Sequence, residues 1–179
     1  WFDDAAALAI ALHACWRAGV TAVLPGDARP ETCATLDSTI DAWVCDTGLP
    51  PTARPQWRLD TLRDAPPLAP APLDPEQALV LCTSGSSGAP KHIVKRWGQL
   101  AREVQALQAQ WPEAGGPVLG SVSAQHMYGL PFRVLWPLCA GRPIDRASGS
   151  TPKTCNRPAC AMPPAPGSPV RRCCAAWAT

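Results

Sequence analysis

Apolar residues fill positions 5–12 without a break, and the stretch 5–17 is rich in good helix formers. Asp3 and Asp4 stand just ahead of it, where a carboxylate caps a helix and meets its dipole, and Gly19 stands where a left-handed C′ residue belongs. The pattern predicts a helix over 5–17, then a short buried strand over 20–24 stopped by Pro25-Gly26. Pro30-Glu31 opens a second, weaker helix to about position 39, and 42–45 reads as another short strand. Residues 79–82, Leu-Val-Leu-Cys, read as a buried strand followed by a Ser/Gly/Thr loop through Lys91. Leu100, Val104, Leu107 and Trp111 recur by four, three and four, which predicts a helix over 96–111 closed by Pro112 and Gly115-Gly116. Residues 118–122 read as a strand and 128–139 as a helix closing before Gly141. Continuous apolar strands alternating with helices predict an α/β fold, a mostly parallel sheet flanked by helices.

Two stretches break the rhythm. Residues 50–75 carry Pro50, Pro51, Pro55, Pro66, Pro67, Pro70, Pro72 and Pro75, and proline excludes helix interior and central strand. This reads as a surface connection, with Trp57-Arg58-Leu59 able to dock at an edge. A proline-rich ligand for an SH3-like module is the competing reading. Residues 148–179 contain no Asp, Glu, Leu, Ile or Phe, but six prolines, four cysteines and four Lys/Arg. With no apolar periodicity to bury, the ordering cost of about 1–2 kcal/mol per residue goes uncompensated, and disorder is expected. Out-of-frame reading of a GC-rich gene yields this composition, and a frameshifted tail is the further expectation. The division is therefore 1–147 as one partial domain and 148–179 as a tail.

Composition narrows the classes. A net charge of +2 gives no field that would point to nucleic acid or an anionic membrane. The longest apolar run is eight residues, against the roughly 20 of a membrane-spanning helix. The 22 prolines are about twice the usual share. Nine cysteines make no disulfide framework. Cys15, Cys82 and Cys139 lie in apolar segments and read as small buried hydrophobes, while Cys155, Cys160, Cys173 and Cys174 are spaced poorly for structural zinc. No metal site is expected. The chain opens on Trp1 without a signal-peptide pattern, so a piece of a longer, cytoplasmic protein is expected.

The chemistry lies in Thr83-Ser84-Gly85-Ser86-Ser87-Gly88-Ala89-Pro90-Lys91, directly after a buried strand. Four hydroxyls and two glycines let successive backbone N–H groups converge on one anion, and Lys91 adds a mobile point charge. A polyphosphate needs that combination; a flexible Ser/Gly connector is the bland alternative. The loop is not a Walker loop, because only Ser86 and Ser87 separate the glycines and Ala89-Pro90 precede the lysine. It is not a dinucleotide fingerprint either, for want of a third glycine.

Thr83 to Lys91 resembles the Thr-Ser-Gly-Ser-Thr-Gly-x-Pro-Lys phosphate loop of the adenylate-forming (AMP-binding) enzyme family, with Ser87 in place of Thr. The block from Ser121 through His126 to Gly129, followed by Phe132-Arg133-Val134-Leu135-Trp136, resembles the family's next motif and most closely its bacterial acyl-CoA synthetase or AMP-ligase branch. The resemblance implies the N-terminal adenylation domain of an ATP-dependent carboxylic acid ligase. In that reaction a fatty or aryl carboxylate is joined to AMP from MgATP. The acyl group then passes to a thiol, either coenzyme A or the phosphopantetheine of an acyl carrier protein. By the same resemblance, Thr83, Ser84, Gly85, Ser86, Ser87, Gly88 and Lys91 would bind ATP, Lys91 would neutralise the leaving pyrophosphate, and His126 would border the carboxylate. His126 also has a plain reading as a packed or capping residue. His13 reads as structural, His92 as a flank of the loop, and Phe132 and Trp136 as core. The family's later motifs (Tyr-Gly-x-Thr-Glu, Thr-Gly-Asp, and the hinge and lid with its lysine) do not occur in the sequence. A truncated, inactive ligase is therefore expected; an inactive nucleotide-binding module and a Pro-rich interaction protein are the alternatives.

Overall fold

A computed structural model describes residues 1–62, 69, 71–83, 91–112, 116 and 118–146. The expected disorder of 148–179 lies outside the described residues. Helix α1 spans Ala5–Arg17, with the Asp4 carboxylate accepting from the N–H groups of Ala6 and Ala7. It ends in a Schellman motif: Gly19 N–H donates to Trp16 C=O and Val20 N–H to Cys15 C=O, with Gly19 at φ 69°. Strand β1 (Ala22–Leu24), helix α2 (Pro30–Asp37) and strand β2 (Trp43–Cys45) follow, each a little shorter than its sequence pattern. Helix α2 has no side chain capping it directly. Asp27 holds its entrance instead, accepting from Arg29 N–H at 3.1 Å and Thr32 Oγ1 at 2.6 Å.

The proline-rich segment contains more structure than its composition predicts. Strand β3 (Gln56–Arg58) pairs in parallel with β2, Val44 opposite Trp57, and a 3₁₀ turn covers Leu59–Leu62. All three residues of β3 are exposed, so it is the edge strand that proline-flanked sequence tolerates.

Strand β4 (Ala78–Thr83) lies between β1, which it meets in parallel, and β5 (Lys91–Arg96), which it meets antiparallel. Strand β5 corrects the reading of Lys91 as loop. Residues 91–96 form an edge strand in which only Ile93 and Val94 are aliphatic, between Lys91-His92 and Lys95-Arg96, which hides them from a search for continuous apolar runs. The described sheets are consequently mixed, one of three strands and one of two, rather than mostly parallel. The expected strand over 118–122 does not form. Those residues are bends and irregular backbone, with Leu119 and Val122 exposed rather than buried.

Helix α3 covers Trp97–Gln110, with Arg96 N–H donating to the Gln99 side chain. Leu100 and Val104 are buried as the spacing requires, but Trp111 leaves the helix at its C-cap and meets the ring of Trp136 at 5.8 Å. The expected helix over 128–139 is split into a wide π-helical turn (Leu130–Leu135) and helix α4 (Trp136–Ala140), closed by left-handed Gly141.

The three-stranded sheet has unequal faces. Period-2 alternation sends Leu79 and Leu81 into a large apolar cluster with Leu8, Leu12 and Trp16 of α1, Leu100 and Val104 of α3, and Leu130, Val134 and Trp136. Cys82 points the other way, into a small cluster with Cys33, Leu36 and Trp43. Cys82 is therefore buried as expected, while Cys15 and Cys139 are only half-buried. No described helix is long and apolar enough to cross a membrane.

Candidate functional site

The loop identified from sequence is framed by β4 and β5. Thr83 and Lys91 are opposite residues at the loop end of the antiparallel ladder, and Thr83 Oγ1 donates to Lys91 C=O at 3.5 Å. Six consecutive pairs, from Ala78–Arg96 to Thr83–Lys91, fix the register. That register is anchored by Leu79 and Leu81, 0% and 2% exposed, because a one-residue slip would turn both toward the opposite face. Lys91 and His92 are exposed. His92 thus flanks the loop, as read from sequence. Ser84, Gly85, Ser86, Ser87 and Gly88 lie outside the described residues, so only the two ends of the expected phosphate site are described.

His126 stands on a turn of its own, before the π-helical segment rather than after a strand. It is exposed, its N–H donates to Ser123 C=O at 3.0 Å, and its C=O accepts from Leu130 N–H at 2.8 Å. Its Nδ1 accepts from the backbone N–H of Tyr128 at 3.3 Å, and the Tyr128 ring lies 5.7 Å away. With Nδ1 accepting, the neutral ring carries its proton on Nε2. The turn is rooted in the same apolar cluster as β4 and β5: Ala124, Leu130 and Val134 share it with Leu79, Leu81 and Ile93.

Sequence reasoning missed the residues that hold this turn. Gln125 is 3% exposed, and its Nε2 donates to Phe2 C=O at 3.0 Å. Arg133 is 2% exposed within the π-helical turn; burial pushes its guanidinium pKa down, partly offset by the Asp145 carboxylate. A Cβ on Gly129 would lie 1.8 Å from Ser123 C=O, so the chain closes there with no room for a side chain. The available signal was one arginine inside the otherwise apolar run Leu130–Leu135.

His13 is half-buried on α1, and burial followed by the Arg17 charge pushes its pKa down. Trp136 is buried and Phe132 packs against the same cluster. Arg142 lies 4.4 Å over the Trp136 ring and donates to Gln108, which also accepts from Trp136 Nε1. Among the described residues no group of three His, Cys, Asp or Glu could hold a metal ion.

No family model matches the chain. The 4-coumarate–CoA ligase of Rhodobacter capsulatus is 37% identical over 83 residues, which is 45% of this chain and 22% of that ligase. Among solved structures, the o-succinylbenzoate-CoA synthetase (MenE) of Bacillus subtilis, with its acyl-adenylate intermediate bound, matches at a TM-score of 0.66. That match has 19% identity and covers 80% of this chain and 41% of the synthetase. The same synthetase with AMP gives 0.63, and with ATP and magnesium ion 0.59, at 19% and 18% identity over 80% of this chain and 40% and 42% of the synthetase. The likeness to the synthetase is one of fold; the likeness to the coumarate ligase is one of sequence. Together they make the chain a relative of the adenylate-forming acyl-CoA ligases. It is so over part of their length, spanning less than half of either protein.

Proposed function

We propose that this chain is part of an ATP-dependent carboxylic acid ligase. A carboxylate oxygen attacks the α-phosphorus of ATP, an acyl–O–P bond forms, and the α–β P–O bond breaks to release pyrophosphate. A thiol of coenzyme A or of a carrier phosphopantetheine then attacks the acyl carbon, forming the thioester and releasing AMP, its proton passing to solvent. The chain's task in the first step is to stabilise charge on a crowded polyphosphate. The hydroxyls of Thr83, Ser84, Ser86 and Ser87 donate to phosphate oxygens, Gly85 and Gly88 permit close backbone approach, and Lys91 neutralises the departing pyrophosphate. His126, with its proton on Nε2, donates to the substrate carboxylate. Magnesium ion would enter with the nucleotide as MgATP and offset the charge of the phosphates.

The observation that carries this reading is the pairing of Thr83 with Lys91, which brings together both ends of a serine- and glycine-rich segment that follows a buried strand. A thermal-shift titration with MgATP tests it. Binding stabilises by mass action, about 2.7 kcal/mol at a hundredfold excess over Kd, and Lys91→Ala is expected to weaken affinity about tenfold. An unchanged melting temperature at millimolar MgATP would remove the reading. The same Ser/Gly-rich segment ending in Lys91 also fits a second reading, nucleotide binding without turnover. ATP–pyrophosphate exchange with 4-coumarate and with fatty acids separates the two: exchange supports the ligase, while binding without exchange supports the module.

A further inference from the structure

Residues 118–128 carry His126 yet form neither helix nor strand, so isolated turn bonds rather than a backbone ladder hold the imidazole in place. Arg133 reaches into this segment from the core. Its Nη1 donates to Val122 C=O at 2.7 Å and its Nη2 to Asp145 C=O at 3.4 Å. Its aliphatic stem runs beneath Gly120, where a Cβ would come within 2.9 Å of Arg133 Cδ and 3.3 Å of Cγ. Val122 lies four residues before His126, and Ser123, next along, accepts the His126 N–H. One planar cation therefore ties the approach to the histidine turn to the irregular backbone at Asp145.

We infer that Arg133 is a positioning residue for His126. A buried cation is costly unless its donors are used, and a flat fork with fixed angles suits two carbonyls on different segments better than a lysine point charge does. Fixing Val122 and Ser123 fixes the hydrogen bond that His126 N–H donates to Ser123 C=O, hence the place of Tyr128 N–H, hence the tautomer with its proton on Nε2. The role of that proton rests on the ligase reading; the way it is held does not.

The test is nuclear magnetic resonance of the whole chain, reading the His126 ring nitrogens and the exchange of the Tyr128 amide. In Arg133→Met, Tyr128 is expected to exchange about tenfold faster and the ring to become a mixture of tautomers, while amides of α1 keep their protection. Arg133→Lys is expected to restore part of the protection. A folded Arg133→Met with Tyr128 exchange and His126 nitrogens as in the wild type would overturn the inference. Gly120→Ala decides it if Arg133→Met does not fold: it keeps the arginine but displaces its stem, so His126 signals must shift, and unshifted signals overturn the inference equally. Titration with 4-coumarate reads the other question. A wild-type His126 Nε2 resonance that 4-coumarate does not move counts against the carboxylate role, with the Arg133 result standing independently.

Discussion

The two parts of the candidate site are held by different means. Thr83 and Lys91 sit at the end of six consecutive strand pairs, so their separation is set by a repeating backbone pattern to which each residue adds a little. His126 sits on a turn without regular structure, held by individual groups: Arg133 on Val122, Gln125 on Phe2, and Gly129 closing against Ser123. A ladder distributes its stability, and its exposed end tolerates substitution. A turn built from single contacts concentrates it, so one atom in the wrong place has no neighbours to compensate.

Gly129→Ala should break the comparison open most widely. The added carbon would meet Ser123 C=O and the Ala124 backbone, and backbone cannot swing aside as a flexible side chain does. We expect a loss of about 3 kcal/mol or more in urea unfolding. A loss below about 1 kcal/mol would mean that the turn adjusts as easily as the hairpin end.

That contrast also explains what was legible in advance. Helix α1, β1, β2, β4 and α3 were readable because each repeats a simple pattern over its length, and Asp4 and Gly19 marked ends that the structure confirms. Strand β5 was hidden because edge residues such as Lys91, His92 and Lys95 need not be apolar. The false strand over 118–122 arose from Val118, Leu119 and Val122, of which only Val118 packs against the core while Leu119 and Val122 are exposed. The ends of the Ser/Gly-rich loop were legible through composition. The supports of the His126 turn were not, because Gln125 and Arg133 act by contacts 123 and 11 residues away, and a pattern of neighbours carries no trace of either.

Gln125→Ala should come next in size. It removes the donor to Phe2 C=O, a buried bond, and leaves that carbonyl without its partner. A cost of about 1–3 kcal/mol is expected, with faster exchange in the turn than in β4. Equal acceleration in both would show that the two regions open as one unit.

Asp4 tests how the chain beyond the turn is secured. Its carboxylate accepts from Arg146, and Ala5 N–H donates to Arg146 C=O. Burial, the largest single influence, pushes the Asp4 pKa up. The bonds from Arg146, Ala6 and Ala7 together outweigh it and hold the group below its ordinary 3.8. A depressed folded value means stability that is complete above 3.8 and lost as pH falls through the folded pKa. Asp4→Ala should therefore cost about 1 kcal/mol near neutrality, mostly through the lost helix cap, since an exposed ion pair adds little. The gap to the wild type should close in acid unfolding below 3.8; a gap that persists there would assign the loss to packing instead.

Lys91→Ala should have the smallest effect on the fold and the sharpest meaning for the site. The side chain is exposed, while the β4–β5 register is fixed by residues buried beneath it, so the midpoint of unfolding should move by less than about 0.5 kcal/mol. That neutrality is what allows a fall in MgATP affinity in the same variant to be read as a lost ligand contact rather than a loosened hairpin. A loss above about 1 kcal/mol would give the lysine a structural role. The hairpin end would then depend on a single side chain, as the His126 turn does, and the contrast between the two regions would disappear.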